Sequence, residues 1–152
     1  MTELQGSCAC SRSHFSLKRK PTRRFLCHCE ICQSVYNQPY ADVLIANAHT
    51  TVVAPESPLD YRHLNGAKSI DRGICGQCGE PTIGFLKLMP GIRLAFIPAH
   101  TLRNTSALPH PEMHIFYESR AADVPDDLPK YDTPEQSMRA CLRPFMAGFA
   151  GF

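Results

Sequence analysis

Three cysteines fall within six residues, at Cys27, Cys29 and Cys32, with His28 between the first two. Steps of two and three residues leave too little slack for disulfides between neighbours, but they can direct several sulfurs at one ion. Metal ligation therefore explains this group better than a buried cluster of reduced thiols does. Three ligands leave the fourth position of a tetrahedral zinc ion open, which is typical of a reactive zinc.

Four further cysteines form two pairs, a Cys-x-Cys at Cys8 and Cys10 and a zinc-knuckle Cys-x-x-Cys-Gly at Cys75 and Cys78. Together they would supply four thiolates, which saturate a tetrahedral ion and make a closed, structural site. Joining the pairs costs on the order of 4 kcal/mol in chain entropy. Structural zinc sites bind with roughly 10–16 kcal/mol, which exceeds that cost. An iron–sulfur cluster uses the same ligand type, but a closed four-sulfur set beside an open three-sulfur set favours zinc.

The composition is that of one globular domain, with 152 residues, 43% hydrophobic and 20% charged. No apolar run approaches the roughly 20 residues of a membrane-spanning helix. The first six residues show neither the basic start nor the apolar centre of a signal peptide. We therefore expect a cytoplasmic protein without membrane association, in which grouped thiols bind metal rather than form disulfides.

Short alternating segments separated by turns predict a mainly β fold that positions these cysteines. We predict strands over residues 14–18, 42–53, 59–64, 68–74, 82–88, 92–97 and 113–118, and a short helix over residues 30–36 directly after the three-cysteine segment. Asn65-Gly66 indicates a hairpin turn. Residues 1–132 are thus expected to form one zinc-binding domain.

Residues 133–152 are predicted to form a C-terminal helical extension. Thr133 is a good N-cap, Pro134 suits the first helical position and Gln136 completes a capping box. One helical face carries Met138, Cys141, Leu142 and Phe145. We expect this face to pack on the domain or on a neighbouring subunit, where it would support a homo-oligomer.

A basic cluster precedes the three cysteines, with five cationic residues between Lys18 and Arg24. It is either a solvated hairpin tip or a binding site for an anion. Nucleic acid is disfavoured as a partner, because no aromatic residues alternate with these charges and the net charge of the chain is only +2.

Three cysteine-containing segments resemble, in order and spacing, the glutathione-dependent formaldehyde-activating enzyme family, which includes centromere protein V. They are Gly6-Ser7-Cys8-Ala9-Cys10, Cys27-His28-Cys29-Glu30-Ile31-Cys32 and Cys75-Gly76-Gln77-Cys78-Gly79. His114-Ile115-Phe116 and residues 126–132 are similar to the closing segments of that family. The resemblance implies a β-tent fold of several small coiled antiparallel sheets, a structural zinc on the four-cysteine set and a catalytic zinc on Cys27, Cys29 and Cys32.

The resemblance also implies a carbon–sulfur lyase of the S-(hydroxymethyl)glutathione synthase kind, with two zinc ions and glutathione as co-substrate. A zinc-bound thiolate would add reversibly to formaldehyde or another small aldehyde. We predict that His28, or alternatively Glu30, moves the proton. We predict that Arg23 and Arg24, or alternatively Lys20, bind the carboxylates of glutathione. Two alternatives remain: a non-catalytic zinc-binding module that binds a thiol or nucleic acid, and a thiol-carrier or redox-sensing protein.

Overall fold

The computed structural model describes residues 3–21, 23–63 and 70–147, and the chain divides into two compact units. The first unit comprises Met1–Arg23 and Val43–Pro109, and the second comprises Arg24–Asp42 and His110–Phe152. The predicted mainly β fold with a short C-terminal helix is confirmed. Within the described ranges, ten strands lie in two sheets.

The strands follow the predicted segments closely, with two additions near the start of the chain. They are β1 Leu4–Ser7, β2 His14–Leu17, β3 Arg23–Cys27, β4 Ala41–Asn47, β5 Thr51–Val53, β6 Leu59–Arg62, β7 Ile70–Cys75, β8 Pro81–Met89, β9 Ile92–Pro98 and β10 Met113–Ile115. The α-helices are α1 Glu30–Tyr36 and α2 Pro134–Ala147. Sequence analysis did not predict β1 or β3.

The first unit is built from antiparallel strands. One sheet has the order β1-β2-β5, and in the other β4, β9, β8, β7 and β6 follow one another. Alternation in β2 buries Phe15 and Leu17 in the core, as the period of a half-buried strand requires. The hairpin predicted between β6 and β7 is present, while its turn at Asn65-Gly66 lies outside the described residues.

The second unit contains a parallel pair, β3 with β10. The register places Leu26 opposite His114 and Cys27 opposite Ile115. The strand expected over residues 113–118 ends at Ile115, because Phe116 adopts a left-handed conformation with φ of 53° and a 3-10 turn follows. β3 therefore delivers its terminal cysteine beside the histidine of β10.

Helix α2 begins with the predicted capping box. The Gln136 backbone N–H donates to Thr133 Oγ1 at 3.2 Å, and Gln136 Oε1 accepts from the Thr133 N–H at 3.4 Å and from the Asp132 N–H at 3.1 Å. The buried Ser137 hydroxyl accepts from the Phe116 N–H at 2.8 Å, which fixes the helix start to the second unit. Met138 is exposed, and the side chains of Leu142 and Phe145 lie outside the described residues. Contact of this face with a neighbouring subunit stays a prediction.

Within the described ranges, neither helix is long and apolar enough to cross a membrane.

Replacing Ser137 by Ala should lower the free energy of unfolding by about 1–3 kcal/mol, because the Phe116 N–H loses its acceptor in a buried position. Urea unfolding followed by circular dichroism measures the change. Ser34→Ala, on the exposed surface of α1, is the matched control and should stay within about 0.5 kcal/mol of the parent. Equal stability of the two variants would show that Ser137 does not anchor the helix.

Candidate metal centres

The first unit brings Cys8, Cys10, Cys75 and Cys78 together, with their sulfurs all within 4.8 Å of one another. The Sγ atoms of Cys8 and Cys10 are 3.5 Å apart, and those of Cys10 and Cys75 are 3.8 Å apart. A disulfide needs about 2.05 Å. Zinc–sulfur bonds of about 2.3 Å in a tetrahedron place sulfurs about 3.8 Å apart. The cluster therefore fits a metal ion, and four thiolates favour zinc.

Tight turns aim these sulfurs inward. The Ser11 N–H donates to the Cys8 carbonyl, and the Ser13 N–H points at Cys8 Sγ at 3.4 Å. In the knuckle, the Gly79 N–H donates to the Cys75 carbonyl at 2.7 Å, and Gly79 has a φ of 76° that suits glycine. The Glu80 carboxylate joins the two turns, since it accepts from the Ala9 N–H and lies 2.9 Å from His100 Nε2.

The proton affinities of these sulfurs are unequal. Burial raises the pKa of Cys75, but the nearby Ser13 side chain and hydrogen bonds from the backbone of Cys78 and Gln77 outweigh burial and lower that pKa to about 6. For Cys10, the Arg12 backbone lowers the pKa, while burial and the neighbouring sulfurs raise it to about 12. The Cys75 thiolate thus forms readily, and its presence disfavours ionisation of the neighbouring Cys10 thiol. A cation among them removes that conflict.

The second unit gathers Cys27, Cys29 and Cys32, again within 4.8 Å, with 3.5 Å between the sulfurs of Cys27 and Cys29. Cys27 and Cys32 are buried, whereas Cys29 is partly exposed. Hydrogen bonds with Cys29 and Cys32, together with burial, raise the pKa of Cys27 well above its usual value. Within the described ranges, this group includes no fourth Cys, His, Asp or Glu ligand atom. The set is thus a three-sulfur one that reaches solvent at Cys29.

Strand β3 and helix α1 position this set. Cys27 ends the strand, and the His28 N–H donates to the Ile115 carbonyl at 2.9 Å. Cys29 caps the helix, with its Sγ accepting from the Cys32 N–H at 3.3 Å. The Gln33 side-chain amide then donates to the His28 carbonyl at 2.6 Å. Hydrogen bonds at His28, Cys29 and Gln33 therefore hold this loop in place.

His28, predicted to move a proton, is buried at 1% exposure. Its Nε2 lies 2.8 Å from His114 Nδ1, and His114 Nε2 lies 2.8 Å from Asp126 Oδ2. The Lys130 ammonium donates to Asp126 Oδ1 at 2.8 Å. The ring centroids of Tyr40 and Tyr117 lie 4.9 Å and 5.0 Å from that of His28. The predicted proton-moving residue is thus one end of a hydrogen-bonded chain.

These surroundings shift two proton affinities. Burial, and then the neighbouring His114 and Arg120, lower the pKa of His28 to about 4. Hydrogen bonds from Lys130 and then His114 lower the pKa of Asp126 to about 2. At neutral pH, His28 is therefore uncharged and Asp126 is a carboxylate. His28 Nδ1 is buried and has no hydrogen-bond partner among the described residues.

The model of the glutathione-dependent formaldehyde-activating enzyme family matches residues 3–119. This chain belongs to that family. A crystal structure of a Rhodobacter sphaeroides protein is similar in fold, with a TM-score of 0.54 and 18% sequence identity, over 70% of this chain and 96% of that one. Among curated proteins, none matches this chain. The predicted family is confirmed, and the cysteine sets are consistent with a zinc-binding member of it.

Sequence analysis missed the partners of His28 as site residues. His114 and Asp126 are 86 and 98 positions away from His28 in the chain. No local spacing connects them. The one available signal was the similarity of their two segments to the closing segments of the family.

Arg23 and Arg24 were predicted to bind carboxylates of glutathione. Arg24 already holds a carboxylate of the protein, with Nε 2.8 Å from Asp42 Oδ1 and Nη2 2.6 Å from Asp42 Oδ2. Arg23 is 7% exposed. The exposed members of the basic cluster are Lys18, Arg19 and Lys20. A role for either arginine in binding glutathione stays a prediction, and Arg24 would have to leave Asp42 to perform it.

Serine substitutions should separate the two sets. Cys75→Ser should lower the free energy of unfolding by several kcal/mol and reduce zinc content, because metal binding at a closed site is folding free energy. Cys29→Ser should reduce zinc content but retain a cooperative unfolding transition, since Cys29 is the partly exposed member of its set.

Elemental analysis and thermal unfolding measure both effects, and the parent should approach two zinc ions per chain. Cys141→Ser, which changes a cysteine outside both sets, is the control and should keep the parent zinc content. Equal loss of folding in Cys75→Ser and Cys29→Ser would remove the distinction between a structural and a reactive site.

Proposed function

We propose that this protein is a zinc-dependent carbon–sulfur lyase that adds a glutathione-like thiol reversibly to formaldehyde or another small aldehyde. The observation that carries the proposal is the inequality of the sulfur sets, four in the first unit and three in the second. Four thiolates saturate tetrahedral zinc, whereas three leave one position for an exogenous ligand. Family membership supports a thiol and an aldehyde as the reactants.

In this proposal, Cys8, Cys10, Cys75 and Cys78 hold a structural zinc, and Cys27, Cys29 and Cys32 hold the catalytic one. When bound, zinc at the three-cysteine set would stabilise a substrate thiol as its thiolate near neutral pH, below the free pKa of about 8.5. Three protein thiolates give the complex a formal charge of about −1, which suits a sulfur nucleophile better than activation of water.

The protein's own groups define where the thiol arrives. Cys27 and Cys32 are enclosed, so the approach is on the side of the partly exposed Cys29. In the reaction, the thiol sulfur forms the new C–S bond while the carbonyl π bond breaks, and the former carbonyl oxygen takes up one proton, which replaces the proton that the thiol releases on binding. The buried, uncharged His28 is the residue proposed to move that proton.

A second candidate is a thiol-binding module without turnover. It is favoured by the three-sulfur set itself, because an open ligand position can hold a thiol without any reaction of that thiol with an aldehyde. The pairing of Arg24 with Asp42 and the burial of Arg23 weaken the nucleic-acid alternative, since they withdraw two of the five charges of the basic cluster.

Addition of glutathione to the zinc-loaded protein should release protons, because the bound form of the thiol is the thiolate. Calorimetry in two buffers of different ionisation enthalpy measures the number released. Exchange between free and thiol-bound formaldehyde, followed at equilibrium by NMR, separates catalysis from the spontaneous addition.

The exchange rate should rise in proportion to protein concentration. It should fall by roughly 100-fold or more in Cys29→Ser, since changes outside the ligand set alone cost 10–100-fold. Cys141→Ser should behave as the parent. Exchange at the uncatalysed rate, with glutathione still bound, would leave the thiol-binding module in place of the lyase.

A further inference from the structure

A cavity of about 570 Å³ lies along one face of helix α1 in the second unit. Four of its lining residues are spaced as a single helical face, namely Glu30, Gln33, Ser34 and Asn37. Ala121, which is exposed, also lines it. The volume is typical of sites that bind small molecules. The cavity therefore has room for a ligand much larger than formaldehyde.

This cavity begins at the end of α1 that carries the three-cysteine set. Glu30 directly follows Cys29, the partly exposed cysteine that caps the helix, and the Gln33 N–H donates to the Cys29 carbonyl at 3.0 Å. Helix α1 has seven residues, and at about 1.5 Å per residue its face is roughly 10 Å long. An extended tripeptide also spans roughly 10 Å. A thiol that reaches the set beside Cys29 can thus place the rest of its molecule along α1.

The side chain of Gln33 is held in one orientation. Its amide nitrogen donates to the His28 carbonyl at 2.6 Å and to the Ser119 carbonyl at 2.8 Å. Only an NH2 group can serve two carbonyls, so the nitrogen and the oxygen of this amide cannot exchange places. No donor in the described part of the chain engages the remaining Oε1 atom. Gln33 therefore gives the cavity a fixed hydrogen-bond acceptor.

Glu30 adds a carboxylate to the same face. It is exposed, and no hydrogen bond or ion pair with another described residue engages its side chain. The described residues that line the cavity include neither Lys nor Arg. A ligand group that is cationic and donates hydrogen bonds is therefore favoured here, whereas a ligand carboxylate finds no cation.

We infer that this cavity binds the body of a thiol that carries a free amino group, with its ammonium on the Glu30 carboxylate and Gln33 Oε1 while its sulfur lies at the three-cysteine set. The inference rests on the proposed function and narrows the thiol to peptide-sized molecules with a free amino end. A primary ammonium has three donors, which is enough for both acceptors. Glutathione belongs to this class, and its recognition then depends on its amino end rather than on its carboxylates.

Two thiols that differ in one group test the role of Glu30. They are glutathione and glutaryl-cysteinylglycine, which is glutathione without its amino group, and calorimetry on the zinc-loaded protein measures their dissociation constants. The parent should bind glutathione about 5-fold more tightly, as expected for one solvent-accessible ion pair. Glu30→Gln should abolish this preference by weakening glutathione alone, at unchanged zinc content. Glu135→Gln changes an exposed glutamate in the first turn of α2 and should keep the parent preference.

Ala121→Trp tests the cavity itself, because a large ring at this position occupies its space. It should weaken the binding of glutathione at least as much as Glu30→Gln does. The binding of 2-mercaptoethanol should stay as in the parent, since this thiol is too small to need the cavity. Ala122→Trp, at an exposed neighbour that is not among the residues lining the cavity, is the control and should bind both thiols as the parent does.

Equal affinity of the parent for glutathione and its glutaryl analogue would overturn the inference. So would a parent-like preference in Glu30→Gln, or parent-like glutathione binding in Ala121→Trp. The comparison of two thiols on the parent needs no variant, so a variant that does not fold leaves the test in place.

Formaldehyde exchange distinguishes this inference from the proposed function. Catalysed exchange without any preference between the two thiols would overturn the inference and leave the lyase. A preference for glutathione with exchange at the uncatalysed rate would support the inference and remove the lyase. Slower exchange of both thiols in Glu30→Gln, with the binding preference retained, would overturn the inference and assign Glu30 to proton transfer instead.

Discussion

Sulfur atoms held 3.5–3.8 Å apart without a disulfide are the constraint on which both units depend. At that separation a thiolate disfavours ionisation of its neighbours, and burial adds to the cost. Such a group is stable either as protonated thiols or around a cation. The raised pKa of Cys27 and the opposite shifts of Cys10 and Cys75 are the signs of this conflict. The turns that bring these sulfurs close together are therefore best explained as turns that carry metal ligands.

Much of this arrangement is predictable from the chain itself. The spacing of seven cysteines identified both sulfur sets, since close thiols in a short segment have few other uses. Alternation and turn residues indicated a mainly β fold, and the capping residues located the start of α2 within one position. These signals are local: each depends on a few consecutive residues whose physical preferences agree with the final structure.

The features that the sequence did not predict depend on contacts between residues that are distant in the chain. No residue near Arg24 in sequence indicates its ion pair with Asp42, so the sequence predicts a free cation for the candidate anion site where the structure has a paired one. No residue near His28 in sequence indicates that His114 and Asp126 are its hydrogen-bonded neighbours, because these residues meet only when β3 and β10 pair in parallel register. Strand β3 itself was hidden by its basic residues, whose burial and pairing are tertiary effects rather than local preferences.

The parallel pairing of β3 with β10 has a consequence for how this unit tolerates change. Leu26 opposite His114 and Cys27 opposite Ile115 are adjacent rungs of one ladder. A shift of one residue would turn the His114 ring to the other face of the sheet and would also break the bond between the His28 N–H and the Ile115 carbonyl. The three-cysteine set and the hydrogen-bonded histidines therefore both depend on the register of this one strand pair. An insertion or deletion in either strand would disrupt both.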